Sequence, residues 1–276
     1  LGLPYMNDVK MAGYNVAGLG SNDIHFSEPV NGHALRHDPF NAIVGPRPIG
    51  WISSCDTKGH VNLAPYSFFN AFNYHPPLIG FSSTAWKDTV SNIQQTGEFV
   101  WNLATMDIAQ AMNATSATVP HEVDEFALAG LTKVPSRVVK APRVGESRVT
   151  FECKLSEIIQ LKGADGKKAE AWLTLGEVVA IHIDKALIKD GVYQTAEAHH
   201  ILRAGRMGDY FEVRPDAMFE MSMGIMNGES RPGPRSSRIL CCSAVVVRPP
   251  MPEPMMTPIS SRFSFSRSRP ESSSAW

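Results

Sequence analysis

The sequence predicts a mainly β fold, a closed or partly closed barrel with a few peripheral helices. Three observations carry this expectation. At least five apolar, β-branched stretches are separated by turn residues and long loops, and only two segments of useful helical length interrupt them. Two of the stretches, Val149 to Leu161 and Leu173 to Asp184, are long and alternate; in the second, Val179, Ile181 and Ile183 share one face while Val178, Ala180 and His182 share the other. A doubly wound sheet would need helices between the strands, and the sequence has too few.

Taken in order, residues 1–30 are rich in Gly and Asn without a sustained period and read as a loosely ordered lead-in. Ile49 to Ser54 is a short apolar strand. Val61 to Phe72 stays extended because Pro65 keeps helix out of it. Leu78 to Thr84 is a strand opened by Pro76 and Pro77, and Asp88 to Thr96 a helix stopped by Gly97. Phe99 to Leu103 is a third short strand, Asp107 to Thr115 a second helix, and Asp124 to Leu128 a single turn before Gly130. The two long strands follow. From Arg231 to Trp276 the composition changes to seven Arg against two Glu, with eleven Ser, eight Pro and neither Lys nor Asp. Such a segment cannot easily offset its ordering entropy, so residues 222–276 are expected to be a disordered Ser/Pro/Arg-rich tail after a domain spanning 31–221.

The chain has 276 residues, is 43% hydrophobic and carries a formal charge of −1, so it has ample core and no overall field for nucleic acid or an anionic membrane. It contains no apolar run of membrane-spanning length and no secretory leader pattern, and the expectation is a cytoplasmic protein without nucleic-acid or membrane partners. Cys55, Cys153, Cys241 and Cys242 form no C-x-x-C pair and read as free thiols.

Much familiar chemistry is missing. The sequence has no G-x-x-x-x-G-K-[ST] loop, no G-x-G-x-x-G after a strand, no G-x-S-x-G elbow and no H-E-x-x-H pair. His121, Glu122, Asp124 and Glu125 cluster as a metal set would, but a solvated helix start accounts for them better, and no metal is expected. His199 and His200 are neighbours that point different ways on a regular element. His182, inside a strand, is expected to be a hydrogen-bonded core histidine.

What remains is FSSTAWKDTVSN, Phe81 to Asn92. A strand ends in Ser82, Ser83 and Thr84, and a helix begins at Lys87 or Asp88. Hydroxyl donors, free amides of a first helical turn, the positive end of the helix dipole and an ammonium together suit a phosphate. Ordinary capping by Asp88 or Thr89 would explain the segment alone; its flanks favour a site. VNLAPYSFFNAF, Val61 to Phe72, sets Asn62, Ser67 and Asn70 among four aromatics, and Pro46 to Ser53 adds an apolar wall. Together these suit a flat, phosphorylated heteroaromatic ligand.

The motifs PFNAIVGPRPIGWISS, NLAPYSFFNAF, FSSTAWKDTVSNI and TGEFVWNL, followed by LGEVVAIHID and RAGRMGDY, resemble the flavin reductase-like family of FMN-binding split-barrel proteins, close to its flavoprotein oxygenase subgroup. The likeness covers about Asn31 to Val213. It implies an antiparallel, Greek-key type split barrel, a homodimer, noncovalent FMN and reduction of flavin by NADH or NADPH. No side-chain catalyst is then required, because the bound flavin receives the hydride. The resemblance further implies that Ser82, Ser83, Lys87, Asp88 and Thr89 surround the phosphate, and that Ala64, Pro65, Tyr66, Ser67 and Phe69 contact the ring and ribityl chain. Pro48, Ile49, Trp51 and Ser53 would lie beside the flavin, and Arg203 and Tyr210 near the cofactor. RAGRMGDY departs from the family's usual R-x-G-G by placing Arg206 and Met207 before Gly208. A flavin-dependent oxygenase partner and a non-catalytic flavin carrier are the further expectations that this likeness raises.

Overall fold

The computed structural model describes residues 24–206 and 208–220; the described residues belong to one compact unit that ends at Met221. The expected disordered tail, with Cys241 and Cys242, and most of the lead-in lie outside the described residues. Residues 24–39 carry no regular structure beyond a 3-10 turn at Pro29–Asn31.

Seven strands form one antiparallel sheet: β1 Gly50–Cys55, β2 Val61–Tyr66, β3 Phe69–Asn73, β4 Leu78–Ser83, β5 Glu98–Asn102, β8 Val149–Lys162 and β9 Lys168–Ile183. Between and after these lie three two-stranded ladders: β6 Lys133–Val134 with β7 Arg143–Val144, β10 Ile188–Lys189 with β11 Val192–Tyr193, and β12 Ile201–Arg203 with β13 Tyr210–Glu212. The helices are α1 Phe40–Ile43, α2 Asp88–Thr96, α3 Ala109–Ala114 and α4 Glu125–Leu128. No helix among the described residues is long and apolar enough to cross a membrane.

The order in the large sheet is β2-β1-β5-β8-β9-β4-β3. Its two edges, β2 and β3, are consecutive in the chain and separated only by Ser67 and Phe68. Three Cα steps span at most about 11 Å, so the sheet has to curl until its edges meet. The backbone N–H of Ser82 on β4 donates to the Phe68 carbonyl at 2.8 Å, tying the connection to the neighbouring strand. Pro65, which lacks a backbone donor, is tolerated because β2 is an edge.

The link from β4 to β5 carries α2 across the barrel. Val90 and Ile93 enter the interior cluster with Ile52, Phe81, Phe99 and Cys153, all fully buried. The helix ends where its pattern predicts: Gly97 adopts φ 71° and returns its N–H to the Ile93 carbonyl, a left-handed cap that disfavours any side chain. Adjacent residues of β1 point to opposite faces, so Ile52 joins the interior while Trp51 packs outside with Leu63, Met112 and Phe126 under α3 and α4. This double burial explains why β1 has no solvent-facing residue.

The strands expected at 49–54, 78–84, 99–103 and 149–161 are present with ends shifted by one or two residues. The second long strand begins at Lys168, five residues before the expected start, because pairing with β8 extends the hairpin through polar residues. The expected helix at 107–115 opens with a 3-10 turn, Met106–Ile108, before α3.

Candidate functional site

The curl of the sheet places the β2–β3 connection, the end of β4 and the start of α2 side by side. Between them and the residues after α3 lies a cavity of about 380 Å³. Of the expected site residues, Ala64, Pro65, Tyr66, Ser67, Ser82, Lys87, Asp88 and Thr89 line it. Lys87 is the N-cap of α2 but makes no side-chain cap, an ammonium having no lone pair to offer. The first-turn amides therefore reach the cavity wall without a capping side chain.

A second cavity adjoins the first through shared residues, and a third adjoins the second. The second, of about 470 Å³, shares Phe68 and Ser82 with the first, and Pro48, Phe69, Phe72 and Leu173 are among its other walls. Pro48 and Phe69 also line a third, of about 240 Å³, which is mostly apolar and contains Ile49, Trp101, Phe151 and His200. Phe69 stacks on Trp101, with ring centroids 5.5 Å apart and planes 10° from parallel. A polar end that suits an anion thus runs into an aromatic end.

The remaining expected residues sit elsewhere. Ser83 is fully buried and donates to the Ala85 carbonyl at 2.7 Å; strand alternation turns it away from the cavity that Ser82 and Thr84 face. Trp51 is fully buried in the outer core, its indole N–H on Thr115 Oγ1 at 3.0 Å, and so reaches the cavity only through Thr115. Ser53 donates to the Pro142 carbonyl at 2.6 Å. Arg203 lies over the Tyr210 ring at 4.8 Å in the β12–β13 hairpin, and its backbone exchanges hydrogen bonds with Arg47 at 2.8 and 2.9 Å. The hairpin therefore stands directly behind the Pro48 wall.

Arg47, expected from sequence only as one residue of the Pro46 to Ser53 wall, organises this corner. Its guanidinium is buried and donates to the carbonyls of Asn41, Val44, Ser67 and Ala204. Burial, then the nearby Arg203 charge, lowers its affinity for its proton. Thr84, one of the three strand-end hydroxyls, lines the polar cavity too, while Ser116, Thr118 and Glu125 also line it and were missed. Hydroxyls after a helix carry no distinctive pattern, but Glu125 beside Phe126 was a detectable signal, an acid inside an apolar turn.

The ionisable groups are unevenly set. Tyr66 is buried and its hydroxyl makes no hydrogen bond of ordinary geometry; burial pushes its phenol up to about 12, against a smaller opposing pull from the Thr89 and Ser83 hydroxyls. Glu125 is raised by burial, opposed by its own amide and by that of Leu63, whose N–H it accepts at 3.1 Å. The acidic cluster around His121 is taken apart by the fold. Asp124 caps α4 through the Phe126 N–H and pairs with Lys133, Glu125 enters the cavity, and His121 turns to Asp56 and Asp88. Asp56, His60 and His121 bring ligand atoms within 4.8 Å of one another, a grouping that sequence spacing did not reveal. His182 Nε2 donates to buried Glu152 at 2.6 Å, while His199 and His200 contact Glu212 and Tyr193 respectively.

A curled antiparallel half-barrel with an anion-ready cleft at its seam defines a flavin-type split barrel. The flavin reductase-like domain model matches residues 45–201, and the chain belongs to that family. An uncharacterized protein of Halalkalibacterium halodurans is 35% identical over 191 residues, covering 64% of this chain and 91% of its own. An uncharacterized Aquifex aeolicus protein is 35% identical over 177 residues, covering 62% and 86%. Among solved structures, component B of nitrilotriacetate monooxygenase from Bacillus cereus superposes with a TM-score of 0.63 at 29% identity, covering 75% of this chain and all of that one. A split-barrel protein of Shewanella frigidimarina gives 0.62 at 26% identity, with 72% and 100% covered.

Proposed function

We propose that this protein is an FMN-dependent NAD(P)H:flavin oxidoreductase, acting as a homodimer and supplying reduced flavin to a partner oxygenase. One observation carries the reading: a hydroxyl-lined cavity at an uncapped helix start runs, through the β2–β3 connection, into an aromatic cleft. The residues present fit such a cofactor. The unsatisfied Tyr66 hydroxyl and the uncapped α2 amides are donors in need of an acceptor. The Bacillus cereus monooxygenase component supports the oxygenase partner.

In this reading Lys87, Ser82 and the first turn of α2 hold the phosphate, with Thr89 at the cavity wall. Backbone groups of Ala64 to Tyr66, on an edge strand, and of Ser67 just after it are available to the polar rim of the ring. Pro48, Phe69 and Trp101 supply its apolar floor and exclude water. When bound, flavin supplies the two-electron chemistry, accepting a hydride at N5 from nicotinamide C4. The protein's task is to hold two rings at contact distance and to offset negative charge.

A visible spectrum tests this directly. Protein incubated with FMN and freed of excess ligand should show bands near about 370 and 450 nm that bleach on adding NADH or NADPH. Failure to bind FMN would reject the reading, whereas tight binding with no nicotinamide oxidation would select a non-catalytic carrier. Sedimentation should give twice the chain mass. Replacing Lys87 by Ala should weaken FMN about tenfold, the worth of one charge-assisted contact.

A further inference from the structure

His121 is an unused piece of chemistry behind the polar cavity: it does not line the cavity itself but contacts Asp88, which does. Its Nε2 lies 3.3 Å from Asp56 Oδ2 and its Nδ1 lies 3.2 Å from Asp88 Oδ1. A neutral imidazole has one N–H and one lone pair, so between two carboxylates it would aim that lone pair at an anion. Only the doubly protonated ring satisfies both. Asp56 is rigidly placed for this role: it is buried, its Oδ1 accepts the backbone N–H groups of Lys58 and His60, each at 2.8 Å, and its Oδ2 also meets His60 Nδ1.

Asp88 is the first residue of α2 and lines the cavity. There it complements the helix dipole but, like Glu125 on the opposite wall, sets a carboxyl beside the hydroxyls, ammonium and helix amides that favour an anion. We propose that His121 is a charge-compensating positioning residue: as an imidazolium clamped between Asp56 and Asp88, it masks Asp88 and lets the cavity discriminate in favour of a phosphorylated flavin over its dephosphorylated form. The inference rests on the flavin reading above.

The groups around His121 are Asp56 and His60 from the β1–β2 turn and Asp88 from the start of α2, next in sequence to Lys87. On its own segment Glu122 and Asp124 follow, and Glu125 faces the same cavity. Asp124 is already paired with Lys133. The Asp56 hydrogen bond raises the His121 pKa, burial opposes it, and Asp88 raises it further. The proton is therefore held through the ordinary imidazole range and lost only as pH rises beyond it, leaving Asp88 uncompensated.

The test compares FMN with riboflavin, which has the same ring and no phosphate, by fluorescence titration of the full chain at about pH 7 and pH 9, where the phosphate, with its second pKa near 6, is mostly the dianion at both. The wild-type ratio of FMN to riboflavin affinity should fall about two- to fivefold between the two pH values. His121→Gln should show the lower ratio at both, and adding Asp88→Asn should restore it. Riboflavin affinity reports whether each variant is folded. Should His121→Gln fail to fold, Asp88→Asn alone decides, since it should abolish the pH dependence of the ratio. A ratio indifferent to pH and to these substitutions would overturn the proposal while leaving flavin binding intact. Failure of wild-type protein to bind either flavin would instead overturn the functional reading and this inference with it.

Discussion

Glu152 is fully buried on β8, where it accepts the N–H groups of Arg137, Val138 and Val139 and contacts His182. Burial alone would raise its pKa, but those hydrogen bonds outweigh it and hold the carboxyl at about 2, below the ordinary 4.5. A depressed folded-state value means stability that is complete above pH 4.5 and lost as pH falls toward about 2. Glu152→Gln should therefore lower stability at neutral pH by about 1 to 3 kcal/mol and flatten that acid limb, as followed by denaturant melts between pH 2 and pH 6. Tyr66 gives a contrasting case. Removing an unsatisfied hydroxyl with Tyr66→Phe should leave the ligand-free protein equally stable or stabilise it by up to about 1 kcal/mol, yet weaken FMN binding if that hydroxyl donates to the cofactor. A destabilised variant with unchanged affinity would remove Tyr66 from the site. At this scale the sequence was informative about residue type and poor about direction. Ser82 and Ser83 read as equivalent donors, but strand alternation lets only Ser82 face the cavity.

Short-range patterns predicted the elements that do most of the packing. Gly97 marked the end of α2, the prolines before Leu78 marked β4, and period-two alternation found β8 and β9, since each signal is local chemistry. The elements the sequence did not show, α1, β6–β7, β10–β11 and β12–β13, are short and carry no periodic pattern. At Gly205 a Cβ would lie 2.5 Å from the Ala42 Cα, so α1 can pack against the segment after β12 only if position 205 has no side chain. Gly205→Ala should push α1 away and cost about 1 to 3 kcal/mol, an overpacking penalty that a thermal melt would register. Arg47 is the second clamp on that corner. Its fork of donors serves four carbonyls, which a lysine ammonium cannot reproduce in the same geometry. Arg47→Lys should loosen the Ser67 carbonyl and weaken flavin binding while leaving the interior cluster around Phe81 intact, a split that hydrogen exchange on β3 and β5 would resolve.

For the molecule as a whole, the sequence supplied the fold class and the family resemblance, and the matching family and split-barrel neighbours agree with both. It did not supply the closure. That the edges of the sheet are β2 and β3, and that His121 meets Asp56 across 65 positions, are consequences of long-range pairing that no local period encodes. The polar half of the cleft was legible because its residues are contiguous, Phe81 to Thr89. The opposite wall, Thr115 to Val119 with Glu125, arrives from another part of the chain.

The two-residue bridge at Ser67 and Phe68 has a kinetic corollary. A cleft that straddles the junction of the first and last strands cannot exist in a chain whose ends of sheet have not yet met, so cofactor has nothing to grip until folding is nearly finished. Added FMN should accordingly retard unfolding in stopped-flow traces and leave the refolding rate unchanged. An accelerated refolding limb would mean that the pocket is assembled early, before the ring of strands is shut.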